Sequence, residues 1–426
     1  MLLDFEIRNW KSFKDKNFIT SIASREEQHT KRRAYIPKFS MNVLPALGIF
    51  GGNASGKSNF IDALKFIKEL VVNYQDIQTS IPVKRYLLDD EYSKGNSDFY
   101  LEILINDNIY HYSISLNEKR ILSEKLEFEN SSRKYTLYDR KEDNIVLGEK
   151  LKNSSVLSVI AAGTRSNRLF LSNTIDQQAK EFQDVFNWFE KIKVIDPSSY
   201  SLQDKLDIDE YIDALNEYLP RLDTGITEAA FKDVDINNTH VPEFIMNDIL
   251  SSFDNNGTKH AILSNRQGLV LRFKKDESNK LKASELITRH MTKKGTKDFN
   301  LSMESMGTLR AIELIPLFFE LNKGASVVVI DEVDRSLHTN MTRGLIEYYL
   351  GNYDKNSRSQ LIFTCHDTNL LTQELFRRDE LWLVERDKFS ESNIYSIGDF
   401  KDVKKNNRLD NLYIQGRLGG TPRINI

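Results

Sequence analysis

Eight consecutive residues constrain this chain more than any others: Gly51-Gly-Asn-Ala-Ser-Gly-Lys-Ser58 fits the pattern G-x-x-x-x-G-K-S at every fixed position. An apolar run at 47–50 leads into them, and Ile61, Leu64, Ile67 and Val71 recur behind them at helical spacing. A strand that turns through glycines into a helix predicts an α/β fold around a buried parallel sheet. The same residues define a chemistry. Glycines let backbone N–H groups turn inward around phosphate oxygens, and the helix N-terminus adds a favourable dipole. Gly51, Asn53, Ala54, Ser55, Gly56, Lys57, Ser58 and the adjoining Asn59 are therefore read as a nucleotide cradle. Lys57 would reach the β- and γ-phosphates of ATP, and Ser58 would ligate Mg²⁺.

A second constraint is Val327-Val-Val-Ile-Asp-Glu332, an apolar strand ending in two acids. Burying an unpaired carboxylate is costly, so acids at the end of a core strand usually face a ligand, a metal or a cation. Asp331 would hold Mg²⁺ and Glu332 would polarise the attacking water. His366 follows another apolar run, Gln360-Leu-Ile-Phe-Thr-Cys365, and is placed to contact the γ-phosphate or orient water. Ser305 and Gly307, in Leu301-Ser-Met-Glu-Ser-Met-Gly-Thr308, offer a hydroxyl and an exposed backbone at a helix start, an anion-contacting arrangement.

Between these motifs the pattern changes. Residues 99–147 read as antiparallel hairpins, with a turn at Asn106-Asp107-Asn108. Helical stretches dominate 174–254, notably 179–192 and 208–219. At 255–300 a strand-like run at 268–273 precedes a basic stretch of Arg289, Lys293, Lys294 and Lys297, read either as a solvated loop or as a phosphate-contacting DNA surface. The domain expectation is 1–173 for the first half of the nucleotide-binding head, 174–300 for a mainly helical insertion and 301–426 for the second half. The only cysteine is Cys365, which excludes an internal disulfide and a cysteine zinc cage. The net charge of -3 gives no global attraction to polyanions. No apolar run approaches the roughly 20 residues that span a bilayer, so no membrane role and a cytoplasmic location are expected.

The order of phosphate loop, serine–glycine helix start, acidic strand, Ser336-Leu-His338 and His366 resembles the ABC-type ATPases of the SMC, RecF and OLD group. More narrowly, Arg8-Asn-Trp-Lys-Ser-Phe13, Cys365-His-Asp-Thr-Asn-Leu-Leu371 and the ending Tyr413-Ile-Gln-Gly-Arg-Leu-Gly-Gly resemble the bacterial RloA/AbiLi-like AAA ATPases. This resemblance implies an ABC-type P-loop NTPase head with an antiparallel β lobe. It implies a homodimer or higher oligomer with ATP sandwiched between heads, Lys57, Ser58, Asp331 and Glu332 of one copy facing Ser305 and Gly307 of the other. It further implies a nucleotide switch in anti-phage defence acting through a separate effector such as a nuclease, the alternative being a RecF- or SMC-like DNA maintenance ATPase. The chain departs from the usual signature in having Ser305-Met-Gly307 without a double glycine, and neither Gln75 nor Gln78 sits where the group's conserved-role glutamine is expected.

Overall fold

The computed structural model describes residues 1–73, 80–131, 133–196, 208–239, 241–256, 260–265, 268–276 and 278–421. Gln75 and Gln78 lie outside these. The described residues form two compact units: one of Met1–Asp196, Leu321–Val333 and Glu347–Ile426, and one of Pro197–Glu320 and Asp334–Ile346.

The first unit is built on a six-stranded sheet in the order Lys193–Ile195, Val327–Ile330, Gln360–Cys365, Ala46–Phe50, Leu381–Arg386, Ser392–Ser396. All neighbours are parallel except the last pair. Its three central strands are buried at every position, as continuous apolar runs require when both faces of a sheet are covered. Helix Lys57–Val72 buries Ile61, Leu64, Ile67 and Val71, the positions its periodicity predicted, and Phe60 beside them. Each such side chain contributes about 1.5–3 kcal/mol of transfer free energy. Phe60 meets the edges of Phe5 and Phe13 at ring distances of 5.3 and 5.7 Å, and Trp10 packs on Phe66 at 4.9 Å.

A seven-stranded antiparallel sheet adds the β lobe, running from Asn144–Leu147 at one edge through Ser97–Ile105 to Leu2–Arg8 and Asn17–Thr20 at the other. The expected hairpin closes through Asn106 and Asp107, both with positive φ (49° and 55°), so the two strands meet at Ile105 and Asn108 with a two-residue turn. Glu124, fully buried in this lobe, is held by the Tyr112 and Tyr138 hydroxyls and by the backbone N–H groups of Phe170 and Leu171. The carboxylate thus fastens the start of helix Phe170–Asp176 to the sheet.

Arg377 makes a second buried fastening. Its guanidinium donates twice to Asp379 and to the carbonyls of Glu26 and Gln28, while Glu380 accepts from the Arg377 N–H at 2.7 Å. Burial pushes the Glu380 carboxyl up to about 8, the Arg377 N–H opposing that rise. A carboxyl that is more basic folded than unfolded holds its proton preferentially in the folded state, so stability falls as pH rises from the usual glutamate range towards 8. Glu380→Gln should remove that linkage. Between pH 5 and pH 8 the unfolding temperature of the variant is expected to drop by less than that of the wild type, and an equal drop in thermal melts would contradict this.

One expectation is corrected. The segment 174–300 carries helix Gln183–Lys191 in the first unit and helices Ile208–Tyr218 and Glu243–Asn256 in the second, but it is not mainly helical. Ile226–Val234, Leu281–Thr292, Val270–Lys275 and His260–Ser264 form an antiparallel sheet in that order, and Gly295–Asn300 also pairs with Leu281–Thr292. Glu228-Ala-Ala230 favours a helix locally, yet eight cross-strand partners on Leu281–Thr292 override that weak preference.

Candidate functional site

The parallel register of the central strands assembles the site. Cys365 lies beside Phe50, so the next residues, His366 and Gly51, leave neighbouring strands at the same edge. Ile330 lies beside Phe363, which sets Asp331 against Thr364. Residues following the carboxyl ends of parallel strands are where open α/β sheets bind ligands.

Gly56 ends the loop with φ 117°, and an added Cβ would fall 2.5 Å from Ser392 Oγ and 2.9 Å from Ser12 Oγ, so only glycine fits. Lys57 opens the helix with only 4% of its surface exposed. Its Nζ donates to the carbonyls of Gly51 (2.7 Å) and Gly52 (3.0 Å) and to His366 Nδ1 (3.2 Å). The imidazole therefore turns Nε2 outward, 3.7 Å from Glu332 Oε1. Lys57, His366 and Glu332 form one chain of contacts. Asn53, Ala54 and Ser58 are exposed at the loop surface, Asn59 is partly so, and Ser55 is buried with its Oγ lacking a hydrogen-bond partner. Ala54 (φ 59°) and Glu332 (φ 54°) both hold left-handed backbone, and such strain persists where surrounding structure fixes it.

Thr364, which sequence reading passed over, organises the acidic pair. Its hydroxyl donates to Asp331 Oδ1 at 2.5 Å and accepts the Glu332 N–H at 2.7 Å. The contact depends on strand register, which no local pattern encodes. Asp331 is 3% exposed, and its carboxylate and the Ser58 hydroxyl are hard oxygen donors of the kind that suits Mg²⁺. Among the described residues there is no cluster of three or more His, Cys, Asp or Glu that could hold a metal ion.

The terminal motifs brace the loop. Asn59 Nδ2 donates to Ser12 Oγ and the Trp10 indole donates to the Asn59 carbonyl, each at 2.8 Å. Ser392 binds the Ser12 carbonyl through its N–H and the Ser55 carbonyl through its hydroxyl. Gly52 N–H donates to the Gly420 carbonyl, which Tyr413 also holds. A cavity of about 600 Å³ adjoins Asn59, lined by Lys11, Ser12, Val83, Tyr86 and Leu87.

Ser305 and Gly307 belong to the second unit. Ser305 Oγ accepts the Thr308 N–H at 3.1 Å at the start of helix Met306–Lys323. A Cβ on Gly307 would lie 2.9 Å from the Ser336 carbonyl, so the helix start and the Ser336-Leu-His338 segment are in close approach. Of the basic stretch, Arg289 is paired with Glu228 and Asp298, and Lys297 lies over the Phe299 ring. No helix among the described residues is long and apolar enough to cross a membrane.

This sheet order, with the glycine-rich loop and the strand-end acids at one edge of the sheet, is that of a P-loop NTPase fold. Residues 47–372 match the family described as "AAA domain, putative AbiEii toxin, Type IV TA system", and the chain belongs to that family. No curated protein matches the sequence. Solved structures similar to the chain include the SMC head domain from Thermotoga maritima, with 15% identity, 93% of this chain and 98% of that chain covered, and a TM-score of 0.39. Another is the SmcHead bound to the C-winged helix domain of ScpA, with 11% identity, 93% and 97% covered, and a TM-score of 0.38. P-loop ATPases in general bind ATP with Mg²⁺.

Proposed function

We propose that the chain hydrolyses ATP and works as a nucleotide-driven dimerising switch in bacterial anti-phage defence, acting through a separate effector. The observation that carries the hydrolytic reading is the contact chain from Lys57 through His366 to Glu332, beside the Thr364-anchored Asp331. Gly51 to Ser58 would hold the phosphates, and the cavity beside Asn59 would take the nucleoside. Ser58 and Asp331 would hold Mg²⁺, which when bound supplies positive charge against the phosphate oxygens. Lys57 stabilises the charge that develops on the β–γ bridge as that bond breaks. Glu332 accepts the proton of the attacking water, and His366 keeps Glu332 and the γ-phosphate in register.

Ser305 and Gly307 of a second copy would complete the site, so that binding ATP and assembling the dimer are one event. The family description names a putative toxin, which supports defence over DNA maintenance. The ion pairs of Arg289 point the same way, since they occupy a cation that a DNA phosphate would need. Steady-state phosphate release tests the hydrolytic reading: the purified chain should release phosphate from ATP with Mg²⁺ and cease when the metal is chelated. Release that persists after chelation, or none at any Mg²⁺ concentration, would contradict it.

A further inference from the structure

In the second unit, the turn that carries Ser305 and Gly307 is anchored to the five-stranded sheet at two points. Leu301 is fully buried, and the backbone at Gly268 approaches so closely that a Cβ there would lie 2.9 Å from the Leu301 carbonyl carbon. Four residues after Leu301 comes Ser305. Immediately before it, Glu304 has a side chain only 7% exposed, whose Oε1 accepts from Thr288 Oγ1 and from His290 Nε2, the latter at 2.7 Å. Thr288 and His290 alternate on one face of strand Leu281–Thr292, and the imidazole is further fixed against the Phe299 ring at 4.8 Å.

We infer that Glu304 is a positioning residue for the proposed composite site. Thr288 and His290 clamp its carboxylate so that Ser305 and Gly307 hold the geometry needed to meet the γ-phosphate of nucleotide bound by the other copy. The inference rests on the ATP-sandwich reading above. Its physical motive is the sequence of the turn itself. Gly307 already lies within helix Met306–Lys323 and holds no left-handed backbone, so the turn before it is fixed by a side-chain anchor, the buried Glu304 carboxylate.

His290→Gln and His290→Ala separate positioning from mere structure, because glutamine Nε2 can donate to Glu304 as the imidazole does and alanine cannot. Both variants should still bind mant-ATP, because Gly51 to Ser58 is intact in each, with H290Q near wild-type affinity and H290A weakened only by the share that closure of the second copy contributes. Turnover should fall roughly ten- to a hundredfold in H290A, the size of effect that small misplacements produce, and stay within about threefold of wild type in H290Q. Wild-type turnover in H290A, or equal losses in the two variants, overturns the inference while leaving the hydrolytic reading intact. A wild-type chain that releases no phosphate overturns both.

Discussion

Lys57→Ala is expected to abolish phosphate release and to weaken ATP binding sharply. Lys57 is 4% exposed and its ammonium lies within 3.2 Å of Gly51 O, Gly52 O and His366 Nδ1, so it is a cation held within the loop. Losing one preorganised group that stabilises developing charge costs about 10²–10³ in rate, and the lost attraction to the triphosphate adds a binding defect. Alanine is the best helix former and leaves no buried charge behind, so the helix Lys57–Val72 should remain folded. Arginine should not rescue, because its planar fork cannot replace a compact ammonium inside a closed loop. Phosphate-release assays and equilibrium ATP binding on the same preparations read both effects. Wild-type turnover in the alanine variant would remove Gly51 to Ser58 from the mechanism.

Glu332→Gln should separate binding from chemistry. The amide keeps the volume and the position 3.7 Å from His366 Nε2, but it cannot take a proton from water. General-base catalysis is worth about 10²–10⁴, so turnover should fall by that factor while ATP affinity stays within about twofold of wild type. Thr364 still anchors the backbone N–H of residue 332 and the Asp331 carboxylate, which keeps the proposed metal ligand in place. A variant that hydrolyses ATP normally would show that another group activates the water.

How far the sequence foretold this arrangement depended on how local each feature is. The strand, loop and helix from Ala46 to Val72 were legible because composition, spacing and motif agree within 27 residues. Asp331, Glu332 and His366 could be singled out as polar groups at the ends of apolar runs, but their contacts could not. Lys57 and His366 are 309 positions apart and meet only because Ala46–Phe50 and Gln360–Cys365 are parallel neighbours. Thr364 was invisible for the same reason: inside an apolar strand a threonine reads as a β-former, and its role appears once the register sets it against Asp331.

Apart from the strand-like run at 268–273, the five-stranded sheet of the second unit was missed for a different reason. Its other strands carry charge on several positions, as in Ile226-Thr-Glu-Ala-Ala-Phe-Lys-Asp-Val234, so the alternation that marks a half-buried strand is weak. Fixing of that sheet comes from non-local pairing around Leu281–Thr292 and from a small core of Phe253, Leu271, Phe273 and Ala283. Those contacts join residues that no short window contains.

The claim that ATP binding and assembly are one event is tested most directly by the molar mass of Glu332→Gln in solution, measured by light scattering with and without ATP and Mg²⁺. The variant should hold ATP without turning it over, so its mass should double on adding nucleotide and return when Lys57→Ala is introduced alongside. A mass that stays the same at saturating ATP, with occupancy confirmed on the same sample, would contradict the account.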